Sequence, residues 1–301
     1  MTDAPAPHDT GKWRAIWILA AFAALTLPLM PVQAILLRTS MRAARRFPHW
    51  YHRQVCWILG IRLSIHGAVA RDTPVLVVAN HSTWLDIPVL SAMAPVSFIA
   101  KKEVGGWPFV SQLARLQRSV FVDRTRRTAV GETTSEMTAR LTQGDALVLF
   151  AEGTSSDGLR VLPLRTSLFG AVMPTAKGGA APAHTVVQTC AVVYGELHGL
   201  PIGRAERPLV GWYGDMEMGG HAWSLLKAGP LDVRILIGPP VALDAFADRK
   251  ALSRHLEAEL RQSVVRLLRS IPADAPVVVT TPSPELARPR AVVAKQSAKW
   301  T

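Results

Sequence analysis

The chain of 301 residues holds only two cysteines, Cys56 and Cys190, far apart and without metal-ligand spacing. Such a pair builds neither a disulfide scaffold nor a zinc site and reads as two isolated thiols in a reducing compartment. Charged residues are scarce, at 19% against 49% hydrophobic. That apolar fraction excludes a wholly disordered chain. Acid is missing altogether from one long stretch: residues 10 to 71 contain no Asp or Glu, yet carry nine Lys and Arg. There is no G-x-S-x-G elbow, so Ser82 is a poor nucleophile, and no loop with the lysine and spacing of a P-loop. Internal repeats are absent too.

What is present begins with charge. The net charge is +12, but it is unevenly placed. Residues 285 to 301 carry +3, and with the nine positive charges of residues 10 to 71 set aside, residues 72 to 284 keep only +2. Nucleic-acid binding needs a basic face on the folded body, which this distribution does not supply. A basic excess at the ends suits an anionic membrane surface instead.

Ala15 to Leu37 is a run of 23 residues without a charge. As a helix it is long enough to enter or cross a hydrocarbon core of roughly 30 Å. Pro28 and Pro31 inside it suggest a kink or a re-entrant break. Trp13 and Trp17 stand near one end, where interfacial aromatics sit. A cleaved signal peptide would carry a positive leader; here Asp3 and Asp9 offset Lys12 and Arg14, and the positive charge follows the run. A retained anchor is therefore expected, with the following chain kept in the cytoplasm. Residues 38 to 62 mix arginines with Phe47, Trp50, Tyr51, Val55, Trp57, Ile58 and Leu59, the pattern of a basic amphipathic helix at a lipid surface.

The expected organisation is a flexible leader over 1–12, a membrane anchor and amphipathic helix over 13–62, an α/β domain over 63–271 and a disordered tail over 272–301. Within the domain, strands are expected at 74–80, 96–100, 119–122, 146–150, 186–194 and 231–237. Helices are expected at 84–93, 107–116, 128–142, 164–177 and 244–270. Alternating strands and helices imply an α/β fold with a largely parallel sheet flanked by helices.

Three strands end in chemically capable residues: Asn80-His81 with Asp86, Asp123-Arg124, and Glu152-Gly153-Thr154. In a parallel sheet these ends share one edge, where open α/β sheets bind ligands. Asp86 can hold one imidazole nitrogen of His81 and leave the other free as a general base for a hydroxyl. The polar loop from Glu152 to Gly158 can present N–H groups and hydroxyls to an anion.

Together these residues carry a resemblance. Asn80-His81-Ser82-Thr83-Trp84-Leu85-Asp86 resembles the His-x4-Asp motif of the glycerolipid (lysophospholipid) acyltransferase family. Val120-Phe121-Val122-Asp123-Arg124 resembles its second motif and Phe150-Ala151-Glu152-Gly153-Thr154 its third. Lys101-Lys102-Glu103 with Trp107-Pro108 resembles the basic stretch between the first two. The resemblance implies transfer of a fatty acyl group from acyl-CoA or acyl carrier protein to a lysolipid hydroxyl, without an acyl-enzyme, a cofactor or a metal. It implies His81 as base, Asp86 as its partner, and Lys102, Arg124, Glu152, Gly153 and Thr154 at the substrate. A bacterial inner membrane with the active site facing the cytoplasm is implied as well.

The chain departs from the family pattern twice. Ser155 stands where an arginine follows Glu-Gly-Thr, and Val187-Gln188-Thr189-Cys190 lacks the proline of a later motif. Lysophosphatidate is the leading expected acceptor. Lyso-ornithine lipid is the alternative, since 197–201 and 212–216 resemble bacterial branches that acylate it. A non-catalytic lipid-binding adaptor is the reading from another class, and the intact His81 and Asp86 argue against it.

Overall fold

The computed structural model describes residues 10–122, 129–171, 173, 182 and 184–270. The expected leader and tail, together with Asp123 and Arg124, lie outside the described residues, except for residues 10–12 of the leader, which are helical.

Two helices come first, α1 (Thr10–Thr39) and α2 (Met41–Leu59). They are followed by β1 (Ile61–His66), β2 (Val75–Ala79), α3 (Asp86–Met93), β3 (Val96–Lys101), α4 (Val110–Leu116) and β4 (Val120–Val122). Then come α5 (Ala129–Thr142), β5 (Ala146–Leu149), β6 (Val186–Leu197), β7 (Leu200–Pro201), α6 (Arg207–Val210), α7 (Met218–Ala228), β8 (Leu231–Ile237), β9 (Val241–Ala242) and α8 (Arg249–Leu268).

The sheet order is β1-β8-β6-β2-β5-β3-β4, with β7 and β9 paired to β6. Strands β6, β2, β5, β3 and β4 run parallel, so their carboxyl ends share one edge. The central strand β2 shows why. All five of its residues are buried: Leu76 and Val78 face one core, Val75, Val77 and Ala79 the other. A strand buried on both faces reads as a continuous apolar run rather than an alternation. α8 covers the first face with Leu252, Leu256, Leu260, Val264 and Leu267, spaced by about one helical turn. Cys56 of α2 and Leu90 of α3 pack into the other. Cys56 and Cys190 are free and buried, their pKa pushed up to about 12 by burial, so both stay neutral.

Four features depart from the sequence reading or add to it. β1 begins at Ile61, where the amphipathic helix was expected to continue; Gly60, left-handed at φ 75°, closes α2 through bonds to the Cys56 and Trp57 carbonyls. β8 runs antiparallel to β6: Leu197 opposes Leu231, so the 198–230 connection leaves and re-enters on the same edge without a crossover. Of the helix expected from Leu164 to Lys177, the described part forms a 3-10 turn at Thr166–Ala171, and residues 172 and 174–177 lie outside the described residues. α6 and α7 were not expected at all.

α1 is one unbroken helix despite Pro28 and Pro31, and it is apolar enough by length and composition to cross a membrane. One face is docked on the body. Arg14 donates to the carbonyls of Leu59 and Leu226, Thr26 shares a hydrogen bond of 2.7 Å with Tyr51, and Gln33 donates to the carbonyls of Ala44 and Leu116, each at 2.9 Å. The other face exposes Trp13, Trp17, Leu27 and Ile35. α2 repeats this division, with Ala44, Pro48, Tyr51 and Val55 inward and Arg42, Arg46, Trp50, Arg53 and Trp57 exposed.

The nine positive charges thus divide into two kinds. Arg14, Arg45 and Arg62 are tied to the body, Arg45 to the buried Asp145 at 2.7 Å and Arg62 to Asp232 at 2.6 Å. The other six, Lys12, Arg38, Arg42, Arg46, Arg53 and Arg71, are exposed.

Candidate active site

The site is built where β2 ends. Asn80 continues the β2–β6 pairing through its side chain, donating to the Val192 carbonyl at 2.9 Å and accepting from the Val192 N–H at 2.8 Å. The chain then turns through His81–Leu85 into α3, whose first residue is Asp86. The carboxylate of Asp86 is fully buried and accepts four hydrogen bonds. Oδ2 takes the N–H groups of Ser82 (2.8 Å) and Thr83 (3.1 Å) and bonds His81 Nδ1 at 2.8 Å; Oδ1 takes the Tyr194 hydroxyl at 2.8 Å.

A carboxylate only accepts, so Nδ1 of His81 carries the proton and Nε2 keeps a lone pair that can take one. The His81 ring stacks on Phe150, centroids 4.1 Å apart, and its side chain keeps 21% exposure, so a substrate can reach it. The backbone of His81 is held as firmly as its ring. Its N–H donates to Glu152 Oε1 at 2.9 Å, and its carbonyl accepts the Ser156 N–H at 2.9 Å.

Glu152 is buried, and its second oxygen accepts the Leu162 N–H at 2.8 Å. Its carboxylate therefore ties the loop after β5 to the His81 turn rather than facing open solvent. Burial pushes its pKa up to about 7, against the opposing pull of the two N–H donors. Because the folded value lies above the ordinary one of 4.5, this group favours folding most below pH 4.5. The benefit is lost as pH rises through about 7, an effect of order 3 kcal/mol. Stability in urea, measured in detergent micelles, is thus expected to fall between about pH 5 and 8, and Glu152→Gln is expected to flatten that slope. An equal slope in the variant would sink this account.

Gly153 follows in a left-handed turn, φ 78°, which glycine adopts without strain. Thr154 is exposed at the loop tip. Lys102 is exposed where β3 runs into a 3-10 turn, on the same sheet edge. Arg124 lies outside the described residues. The structure therefore brings His81, Asp86 and Glu152 into one network, sets Gly153 and Thr154 beside it and leaves Lys102 at the rim.

Tyr194 was missed by sequence reading. It is one of three tyrosines and sits in an otherwise apolar strand, a buried hydroxyl that requires a partner. In the stretch that lacks the proline, Gln188 accepts from the Ala70 N–H and donates to the carbonyls of Ala68 and Gly238, tying β6 to two neighbouring segments.

A family model described as acyltransferase matches residues 61–193. The chain is 45% identical over 251 residues to the lyso-ornithine lipid O-acyltransferase of Brucella abortus (strain 2308), covering 83% of this chain and 94% of that protein. The chain belongs to the acyltransferase family. This acyltransferase is also 39% identical over 259 residues to the lyso-ornithine lipid O-acyltransferase of Rhizobium meliloti (strain 1021), covering 84% of this chain and 88% of that protein. Its identity to the 1-acyl-sn-glycerol-3-phosphate acyltransferase of Neisseria meningitidis serogroup B (strain ATCC BAA-335 / MC58) is 30% over 214 residues, covering 70% of this chain and 78% of that protein. The crystal structure of the 1-acyl-sn-glycerophosphate acyltransferase PlsC from Thermotoga maritima shares its fold, with a TM-score of 0.62 at 21% identity, covering 86% of this chain and 95% of that one.

Proposed function

We propose that this acyltransferase moves a fatty acyl group from a thioester, acyl-CoA or acyl carrier protein, to the hydroxyl of lyso-ornithine lipid. The observation that carries the acceptor is the 45% identity across 94% of the Brucella enzyme of that name. Lysophosphatidate, the expected leading acceptor, falls to second place, because relatives named for it are 30% identical or less among those compared. Ser155 fits this order: no arginine stands after Glu-Gly-Thr to hold a phosphate.

In this reading Nε2 of His81 takes the hydroxyl proton as the oxygen attacks the thioester carbonyl. Asp86 stabilises the imidazolium that forms. The tetrahedral intermediate collapses, the C–S bond breaks, and the proton passes from His81 to the leaving thiolate. The site sits at a membrane surface with α1 half-inserted. Its contacts run from Arg14 to Gln33, about 29 Å of helix. A helix docked to the body along that length is better suited to lie in the interface than to span it. The exposed arginines and tryptophans of α1 and α2 then face anionic lipid on the cytoplasmic side of the inner membrane.

Purified protein in mixed micelles should be given labelled acyl donor with lyso-ornithine lipid or lysophosphatidate in parallel. At least a tenfold higher kcat/KM is expected for lyso-ornithine lipid. A preference for lysophosphatidate would overturn the assignment.

A further inference from the structure

A second cluster of charge lies on the edge of the sheet opposite the chemistry. Arg45 of α2, Arg118 in the turn before β4 and Arg140 of α5 converge on one carboxylate, Asp145. Asp145 precedes β5 and is 4% exposed. Arg118 Nη1 donates to its Oδ1 at 2.8 Å, and Nη2 donates to Gln143 Oε1 at 3.0 Å. Arg45 Nε lies 2.7 Å from Oδ1 and Arg140 Nε 3.5 Å from Oδ2, neither aligned as a hydrogen bond. Among the described residues no other acid touches the three arginines, so three positive charges against one negative leave an excess of +2. Burial pushes Arg118 and Arg140 below the usual arginine value, and the neighbouring guanidiniums push the same way. Arginine does not shed its proton in a protein, so an excess held this close calls for an anion.

The excess is reachable from outside. The side chain of Arg45 is 30% exposed and that of Arg140 14%, and their terminal nitrogens have no hydrogen-bond partner among the described residues. Gln143 and Gly144 beside them are exposed. Gly144 is left-handed, φ 82°, and a Cβ added there would lie 4.0 Å from Arg45 Nη1, so glycine leaves that nitrogen uncovered from this side. The cluster also sits at the level of the anchor. Gln33 of α1 donates to the carbonyls of Ala44 and Leu116, one residue from Arg45 and two from Arg118. Near it on α1 and α2, Arg38, Arg42 and Arg46 are exposed, with Val32 and Ile35 on the outer face of α1. The length of β5 separates Asp145 from the catalytic edge by about 15 Å, so an anion bound here is not the group that reacts.

We propose that this cluster binds the phosphate of an anionic membrane phospholipid, at a site separate from the reaction centre. The two non-bridging oxygens of a phosphodiester suit two guanidinium forks, here the open ends of Arg45 and Arg140. Arg118 and Asp145 hold those forks in place. The bound lipid ties α2 to the α5–β5 turn and fixes the anchor against the bilayer at a second point. The choice of a lipid over a free phosphate rests on the membrane reading of α1 and α2, which sets the cluster in the head-group layer.

The test follows thermal unfolding of full-length protein in neutral detergent micelles. Phosphatidylglycerol is titrated in, with phosphatidylcholine, whose choline cation opposes the excess charge, and glycerol 3-phosphate as parallel arms. Phosphatidylglycerol is expected to raise the unfolding temperature saturably, with about one lipid bound per chain, and the other two to leave it nearly unchanged. Arg45→Gln combined with Arg140→Gln is expected to weaken phosphatidylglycerol binding by about 10-fold or more, the scale of charge-assisted hydrogen bonds. Arg42→Gln combined with Arg46→Gln removes the same charge close by and is expected to weaken it by less than about threefold. An equal or non-saturating response to the two lipids would overturn the proposal without needing any variant to fold. An equal loss in the two double variants would overturn it too, leaving a diffuse basic surface. A full response to glycerol 3-phosphate would overturn the lipid as ligand and leave a site for a free phosphate. Failure of the unsubstituted protein to bind phosphatidylglycerol vesicles would overturn the membrane reading, and the lipid with it.

Discussion

Replacing His81 with alanine is expected to slow acyl transfer by about 10²–10⁴-fold, the range commonly lost with a general base, while leaving the protein folded. The separation follows from how the residue is held. Its backbone is fixed by Glu152 and Ser156 whatever the side chain is, so the turn into α3 survives the substitution. Asp86 loses one of four partners and keeps the N–H groups of Ser82 and Thr83 and the Tyr194 hydroxyl. The main structural cost is the stacking contact with Phe150, about 1 kcal/mol. Thermal unfolding should therefore move only a few degrees, and binding to anionic vesicles should persist, because the exposed arginines lie on α1, α2 and beyond, away from the site. The check is an initial rate at saturating acceptor beside a melting curve. A rate within twofold of the original would remove His81 from the chemistry.

The His81–Asp86 contact was legible in the sequence because its signal is local. His81 and Asp86 lie five residues apart across a strand end and a helix start, and that spacing alone lets the carboxylate meet the ring. The parallel core was legible for a similar reason: strands such as Val75–Ala79 are apolar throughout, which only burial on both faces explains. What escaped depends on long-range pairing. Tyr194 is 108 residues from Asp86, and nothing in its neighbours says that the β2–β6 register sets it beside the carboxylate. The antiparallel turn of β8 is also invisible locally, since its apolar spacing fits either direction. Arg207 carries no local signal of its burial, which emerges only when the 198–230 connection folds back and the Trp212 backbone N–H donates to the Ser82 carbonyl at 2.8 Å. Glu152 was expected at the substrate, and the sequence could not show that both its oxygens are spent on backbone N–H groups.

Asp86→Asn is expected to cost about 10²–10⁴-fold as well, and by a different route. The asparagine oxygen can sit where Oδ2 sits, still accepting from His81 Nδ1 and the N–H groups of Ser82 and Thr83. The amide nitrogen then replaces Oδ1, and the Tyr194 hydroxyl can turn to accept from it instead of donating. Geometry and tautomer are thus retained while the negative charge is lost. An imidazolium formed during attack would then lie beside a neutral amide in a buried site, where the missing charge is felt strongly. The loss should fall on kcat with little change in KM. Tyr194→Phe supplies the graded companion. It leaves the charge and three of the four bonds to Asp86, so a smaller loss is expected. If Tyr194→Phe costs as much as Asp86→Asn, Asp86 does not act on His81 through its charge.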